Sequence, residues 1–269
     1  MSENLLIGIV GLGYVGSVIE RSLSPYATLV TYDLKSGEDY PAQALAKCHF
    51  TIICVDSPTR QDGSCNITNV QEAVMRVPNN HILLKSTVPP GTTSELMDLS
   101  GKEICFSPEY IAENPRTSTP WGADPTQVPF MIIGGHPHSR NYLLRYLMPI
   151  IGANKTVLEC SATEAEIIKY MENTYLAMKV AFVNEYFDLC SKFEANWHLV
   201  REGWLLDPRV NRSHTAVYED SRGFGGKCLP KDLSAIIHVA QSRTVDFTLI
   251  EAISISNAIR TAKYAELVL

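Results

Sequence analysis

The 269 residues contain no C-x-x-C pair, no long run of Lys and Arg, and no apolar stretch of membrane length. Each absence removes a class of protein. The seven cysteines, an odd number without a close pair, read as free thiols in a reducing cytoplasm rather than a disulfide framework. A net charge of −6 and a pI of about 5.7, without a basic run, set aside nucleic acid and anionic membrane surfaces as partners. No apolar segment reaches the ~18 residues of a membrane span. The opening MSENLLIGIV carries Glu3 where a secretory signal would be positive, and its apolar run is short. A cytoplasmic location is expected. Internal repeats and low-complexity tracts are also missing, and no metal is expected. What remains is ordinary globular composition, 45% hydrophobic and 19% charged, enough for one large domain or two smaller ones.

The apolar runs alternate with helical patterns. NLLIGIV, ATLVTYD, FTIICV, HILLKST, EICFS and FMIIGG read as strands, with TNVQEAVMRV and PHSRNYLLRYLMPII among the helices between them. An irregular, Pro-rich stretch from Pro108 to Pro129 precedes the sixth strand. This order predicts an α/β fold: an open, parallel, doubly wound sheet of Rossmann type with helices on both faces. After KTVLEC the texture changes, and Ser161 to Phe193 contains neither Gly nor Pro. As one helix it spans ~50 Å. Beyond it the chain reads as helix, interrupted by a loop from Asp207 to Gly226. The expected domains are residues 1–160 and 161–269, the second a long-helix, α-helical dimerisation domain. Such a helix exposes more apolar surface than a monomer hides, so a homodimer is expected. A helix kinked in two and packed within the chain is the alternative.

GLGYVG supplies Gly11, Gly13 and Gly16 in G-x-G-x-x-G spacing, after a strand and at the head of a helix. The first glycine allows the tight turn, the second lets backbone N–H groups approach a pyrophosphate, and the third lets helix and strand pack closely. Asp33 ends the second strand. Its carboxylate suits two ribose hydroxyls and repels a 2′-phosphate, so NAD is favoured over NADP, with Lys35 softening the preference. Glycines serving packing alone are the blander reading, and the strand, helix and acid in register weigh against it.

Other residues point to chemistry. Lys169 and Asn173 lie at i and i+4 on one helical face, and a lysine beside an amide can hold an oxygen that turns negative. By spacing alone, a solvated lysine beside a surface asparagine is the stronger reading. Glu109 and Glu113 in SPEYIAENP are also four apart, and Thr87 ends the fourth strand, where ligands bind in such sheets. In GFGGKCLPKDL, Pro230 suits a first helical turn and places Cys228 at the helix N-terminus, where the dipole favours thiolate. Lys227 and Lys231 push the same way, and Asp232 can take up a proton. A nucleophilic cysteine is set up in this manner.

The stretches GIVGLGYVG, VDSPT, KSTVPPGT, SPEYIAE, EIIKYMENTYLAMKVAFVNE and GFGGKCLPKD together resemble one family, the NAD-dependent nucleotide-sugar 6-dehydrogenases (UDP-glucose/GDP-mannose dehydrogenases), in the family's order and over nearly the whole chain. The last two stretches are specific, while the first is common to many dinucleotide-binding enzymes. The resemblance implies that a sugar's primary alcohol, most readily that of UDP-glucose, is oxidised twice with NAD through a thiohemiacetal and a thioester on Cys228. Lys169 and Asn173 would hold the oxyanion, Asp232 would assist proton transfer, Glu113 would activate water and Thr87 would orient it. Glu109 occupies the family's other acidic position. Cofactor contacts are expected from Gly11, Gly13, Tyr14, Val15, Gly16, Asp33, Lys35, Ser57, Thr87 and Lys231. Substrate contacts are expected from Glu109, Lys169, Asn173, Phe224, Gly225 and Arg209, the last reaching a neighbouring subunit's substrate.

Departures accompany the likeness. The family carries a third, C-terminal domain that grips the nucleotide, and the sequence ends at AKYAELVL, where that domain would begin. A compact enzyme, a fragment of a longer polypeptide, and a site completed by a second protein or the dimer partner all fit. Asp56 and Lys227 stand where the family uses other residues, WGADPTQVPF departs from its pattern, and the loop from Asp207 to Gly223 is longer. Two other functions compete. A single-step β-hydroxyacid or 6-phosphogluconate-type dehydrogenase shares the glycine turn and the Lys–Asn helix but lacks the thiol. A non-catalytic nucleotide-sugar-binding subunit would have no use for the catalytic set.

Overall fold

The computed structural model describes residues 5–111, 121–122, 124–152 and 154–268, with side chains as far as 262. They divide into two compact units, Met1–Arg60 with Cys65–Lys169, and Gln61–Ser64 with Tyr170–Leu269. The change falls inside a continuous helix rather than in a linker.

The first unit is a sheet with helices. In chain order it contains β1 (Leu6–Val10), α1 (Tyr14–Leu23), β2 (Thr28–Tyr32), α2 (Ala42–Leu45), β3 (Phe50–Ile53) and α3 (Thr68–Arg76). Then follow β4 (His81–Leu84), α4 (Thr92–Ser100), β5 (Glu103–Phe106), β6 (Phe130–Gly134), α5 (Pro137–Ile151) and β7 (Thr156–Cys160). The strands hydrogen-bond in the order β2-β1-β3-β4-β5-β6-β7. Strands β1, β3, β4 and β5 are apolar on both faces because helices cover both faces. Ile53, Ile82, Leu84 and Phe106 point into one buried cluster, and Ile7, Ile9, Ile52 and Leu83 into the other. Each such side chain contributes about 1.5–3 kcal/mol by leaving water.

Two expectations need correction. The sheet is not wholly parallel: β5 and β6 pair antiparallel, with Phe106 opposite Gly134. A parallel neighbour requires a crossover, usually a helix, and the described residues between these strands form only a 3-10 turn, Pro125–Gln127. KTVLEC, not counted among the strands, forms β7 at the sheet's edge, parallel to β6. Its half-exposed side chains give it no buried run to betray it.

The order turns back at β1, which has β2 on one side and β3 on the other. Chain connections leave β1 and β3 in opposite directions and open a crevice at their C-terminal ends, the usual ligand position in such sheets.

The long helix α6 (Ala162–Lys192) is unbroken over 31 residues, about 46 Å at 1.5 Å per residue. Its first turns belong to the sheet unit. The remainder forms the second unit with α7 (Trp197–Trp204), α8 (Leu229–Ser242) and α9 (Thr248–Val268). Small apolar clusters sit here, one of Ala177, Ala181, Phe224, Leu233 and Ile253, another of Val183, Cys190 and Trp197. Between them the interior is polar: Asn173, Thr174, Lys179, Asn184, Thr215 and Asp232 are all buried. Burial pushes the Lys179 pKa down, and its ammonium is satisfied by the Asn211 carbonyl and side-chain oxygens at 3.1 and 2.5 Å. The excursion Gln61–Ser64 joins this unit because Ser234 Oγ of α8 donates to the Gly63 carbonyl at 2.9 Å.

Candidate active site

At the sheet's crevice, Gly11 takes φ +92°, and a Cβ there would lie 2.8 Å from the Cys54 and Val55 backbone. At Gly16 a Cβ would run into the Gly11 carbonyl oxygen. The turn and the close approach of α1 to β1 thus both require glycine. At Gly13 a Cβ would meet nothing within 4 Å, so that position is open toward the outside of the turn. Gly13 caps α1 without a side-chain hydrogen bond. An open glycine at an uncapped helix N-terminus is a cradle a pyrophosphate fits. Tyr14 is exposed beside it, and Val15 packs into the sheet's core.

Asp33 closes β2. Its Oδ2 accepts from the Leu12 N–H at 2.7 Å and its Oδ1 from the Lys35 N–H at 2.8 Å. The carboxylate therefore braces the glycine turn, and each oxygen keeps capacity for a further donor such as a ribose hydroxyl. Ser57 is buried, and its hydroxyl donates to the Thr87 carbonyl at 2.6 Å, tying the loop after β3 to the loop after β4.

Lys85, which the motifs did not single out, links the remaining sheet-unit groups. Its Nζ lies 3.3 Å from Glu109 Oε2 and donates to Ser107 Oγ at 3.2 Å. Glu109 Oε1 accepts from the Tyr110 N–H at 2.9 Å, and its main-chain carbonyl accepts from Lys169 Nζ at 2.6 Å. The sheet unit thus gathers Lys85, Glu109 and Lys169. The signal for Lys85 was its place at the end of β4, two residues before Thr87. Glu113 lies outside the described residues. An apolar cavity of about 80 Å³ adjoins this group, with Lys85, Glu109 and Lys155 as the charged members of its lining. It is too small for a nucleotide sugar, since small-molecule pockets run to about 300–1,000 Å³.

In the helical unit, Cys228 is the N-cap of α8 and is exposed, with Pro230 in the first turn. The other six cysteines are free and buried or half-buried. Burial pushes the Cys54 and Cys105 thiols up to about 12, which leaves them protonated and inert. Four residues beyond Cys228, Asp232 is 1% exposed. It accepts from Asn173 Nδ2 on one oxygen and from Lys231 Nζ on the other, both at 2.5 Å. Lys231 is thereby engaged by a carboxylate. Asn173 and Lys169 stand one turn apart on α6.

Two expected substrate residues have partners within the chain. Phe224 is a core residue, 6% exposed, and Asn257 engages both its N–H and its carbonyl. Its ring faces the apolar cluster and not a pocket. Arg209 is exposed and chelates Asp207, Nη2 to Oδ2 at 2.6 Å. Gly225 is open, with nothing within 4 Å of a Cβ.

A glycine turn at the switch point of a mostly parallel sheet, an acid closing β2 and a helical unit that follows in the chain define a Rossmann-type, NAD-binding protein with a second domain of long helices. Residues 17–147 match the NAD binding domain, and residues 163–258 the central domain, of the UDP-glucose/GDP-mannose dehydrogenase family. The chain belongs to that family. It is 31% identical over 220 residues to the UDP-glucose 6-dehydrogenase of Rickettsia prowazekii, covering 77% of this chain and 49% of that protein. The Bacillus subtilis UDP-glucose 6-dehydrogenase TuaD is 26% identical over 256 residues, 90% of this chain and 52% of that one. The chain therefore spans about half the length of the curated relatives it matches. In fold it is similar to a UDP-glucose dehydrogenase from Pyrobaculum islandicum, with a TM-score of 0.83 at 24% identity, over 96% of this chain and 69% of that one. It is also similar to the 3-hydroxyisobutyrate dehydrogenase of Mycobacterium tuberculosis, with a TM-score of 0.65 at 16% identity, over 98% and 94%.

Proposed function

We propose that this chain carries out the NAD-dependent, two-step oxidation of the C6 primary alcohol of a nucleotide sugar, UDP-glucose foremost, to the uronate. The observation that carries the proposal is the exposed Cys228 at the N-terminus of α8, above a buried Asn173–Asp232–Lys231 chain. An enzyme that stops at a ketone or aldehyde needs a base but no thiol.

When bound, NAD supplies the hydride acceptor for both oxidations, held at the pyrophosphate by the Gly11–Gly16 turn and at the ribose by Asp33. The alcohol loses its hydroxyl proton and one C6 hydride and becomes the aldehyde. Asp232, already bridged to Asn173 and Lys231, assists that proton's departure. The Cys228 sulfur then adds to the aldehyde carbon, its proton ending on the new oxygen, and a thiohemiacetal forms. Lys169 and Asn173 steady the oxygen as N–H donors. Loss of the second hydride together with the hydroxyl proton, again by way of Asp232, leaves a thioester. Water, oriented by Thr87 and activated by Glu113, breaks the C–S bond and returns the thiol with the uronate. Glu109, fixed by Lys85, places the Lys169 ammonium.

The exposed α6 side chains Met171, Tyr175, Phe182, Tyr186 and Leu189, with Phe193 just past the helix end, recur at three, four and seven residues and form one apolar stripe. A second copy of the chain covers it, and Arg209 serves the partner's substrate. Gel filtration tests this: the dimer should give way to monomer in Tyr186→Glu, with loss of activity.

The reaction is tested by incubating the purified chain with NAD and UDP-glucose and following NADH and glucuronate together. Absence of both, with GDP-mannose also inert, would overturn the assignment. A single-step hydroxyacid oxidation is the second reading, since the glycine turn and the Lys169–Asn173 pair suit it equally. Turnover of a small hydroxyacid, indifferent to Cys228→Ser, would establish it instead.

A further inference from the structure

The cysteine loop is held by side chains that the expected site does not include. Asn257 of α9 donates from Nδ2 to the Phe224 carbonyl at 2.9 Å and accepts at Oδ1 from the Phe224 N–H at 2.7 Å. One amide thus reads both polar groups of one residue, as a neighbouring strand would. Asn184 of α6, 1% exposed, accepts at Oδ1 from Arg222 Nε at 2.7 Å and from the Gly223 N–H at 3.3 Å. Arg222 also bonds Asp188 at 2.6 Å, and Arg260 of α9 reaches the other Asp188 oxygen at 3.3 Å. Gly223 sits between the two amides at φ +74°, where a Cβ would lie 2.5 Å from Asn257 Oδ1. The Phe224 ring is sunk among Ala177, Ala181, Leu233 and Ile253.

Residues 222–224 are therefore fixed from α6 and α9, and Cys228 is fixed from the other side by the first turn of α8, where the Asp232 N–H bonds its carbonyl at 2.9 Å. Only Gly225, Gly226 and Lys227 lie between. Both of those glycines are open, with nothing within 4 Å of a Cβ. A three-residue span anchored at both ends can present an exposed thiol without letting it wander. We infer that Asn257, with Asn184, is a positioning residue for the Cys228 thiol. It touches neither substrate nor cofactor and acts through the Phe224 main chain. This rests on the proposed thiol chemistry for its functional meaning, although the clamp itself can be measured without turnover.

The test uses the full chain and two readouts. The first is the rate of Cys228 carbamidomethylation by iodoacetamide, without substrate, at pH 7 to 9. The second is steady-state NADH formation with UDP-glucose. In Asn257→Ala, alkylation near neutral pH should slow several-fold as the loosened loop lets the Cys228 side chain turn away from the first turn of α8. kcat should fall by about 10- to 100-fold, the scale of a small misplacement of reacting groups. KM for NAD should stay within about twofold, because the glycine turn is untouched. Gly223→Ala, which presses on the same bond from the loop side, should give the same pattern and serves if Asn257→Ala does not fold. Folded variants that alkylate at the wild-type rate and pH profile would overturn the clamp. A wild-type chain whose alkylation obeys the clamp but which oxidises no nucleotide sugar would sink the proposed reaction and leave the clamp standing.

Discussion

The sheet unit positions its functional groups with main chain, and the helical unit positions its groups with side chains. Gly11, Ser57, Lys85 and Thr87 follow the ends of β1, β3 and β4, and strand register puts them there. Apolar clusters on both faces hold that register. In the helical unit no sheet imposes an address on Cys228. Its apolar clusters are small, and Asn173, Lys179, Asn184 and Asp232 are buried among them. Buried polar groups are costly unless paired, but once paired they specify one arrangement. A fold can thus fix a reactive group by topology or by a few buried amides, and the second way concentrates the fixing in single residues.

The largest effect should come from the group being positioned. Cys228→Ser should abolish uronate formation while leaving NAD affinity within about twofold, read by fluorescence titration. Loss of NAD binding in that variant would mean that the two units are not separable in this way. Next, Gly16→Ala drives a Cβ into the Gly11 carbonyl and should cost about 1–3 kcal/mol or more in urea unfolding, with a collapse of NAD affinity. Gly223→Ala should spare NAD affinity, so equal losses in both glycine variants would erase the contrast.

Within the sheet unit, Glu166 of α6 is fully buried and accepts from the Gly91 and Thr93 N–H groups at 2.6 and 2.8 Å, capping α4. A glutamine there would turn a donor toward one of those N–H groups. Glu166→Gln should cost about 1–3 kcal/mol in the same assay, and a loss under 0.5 kcal/mol, about the noise of a surface change, would contradict the cap. The smallest effect concerns acid. Hydrogen bonding from Ser139, with His138 adding to it, holds the Glu103 carboxyl below its ordinary range. Its stabilisation is present above the unfolded carboxyl pKa of about 4.3 and is lost as pH falls through the lower folded value. Glu103→Gln should therefore lie within about 1 kcal/mol of wild type at pH 7 and converge with it on acidification. A gap that widens below pH 4 would reverse that sign.

Legibility from sequence divided along the same line. The glycine turn, the strands through FMIIGG, the unbroken helix from residue 162 and the place of Cys228 at a helix start follow from local patterns, because main-chain addresses leave periodic traces. Edge strand β7 left none, since its side chains are half exposed. The antiparallel pairing of β6 with β5 is not revealed by the composition between Pro108 and Pro129. Asn184 and Asn257 left no trace either. Each is one polar residue in a long helix, indistinguishable from a solvated one until a loop 33 to 39 residues away is folded against it. The burial of the Phe224 ring was equally invisible: the motif names the residue, and only the folded loop shows that its ring joins the core.

The central claim is that Cys228 holds the substrate between two oxidations. It is tested most directly by counting NADH formed per UDP-glucose consumed at exhaustion, for wild type and for Cys228→Ser. The account predicts two NADH and one glucuronate per sugar from wild type, and no glucuronate from the variant. One NADH per sugar in both proteins would contradict it.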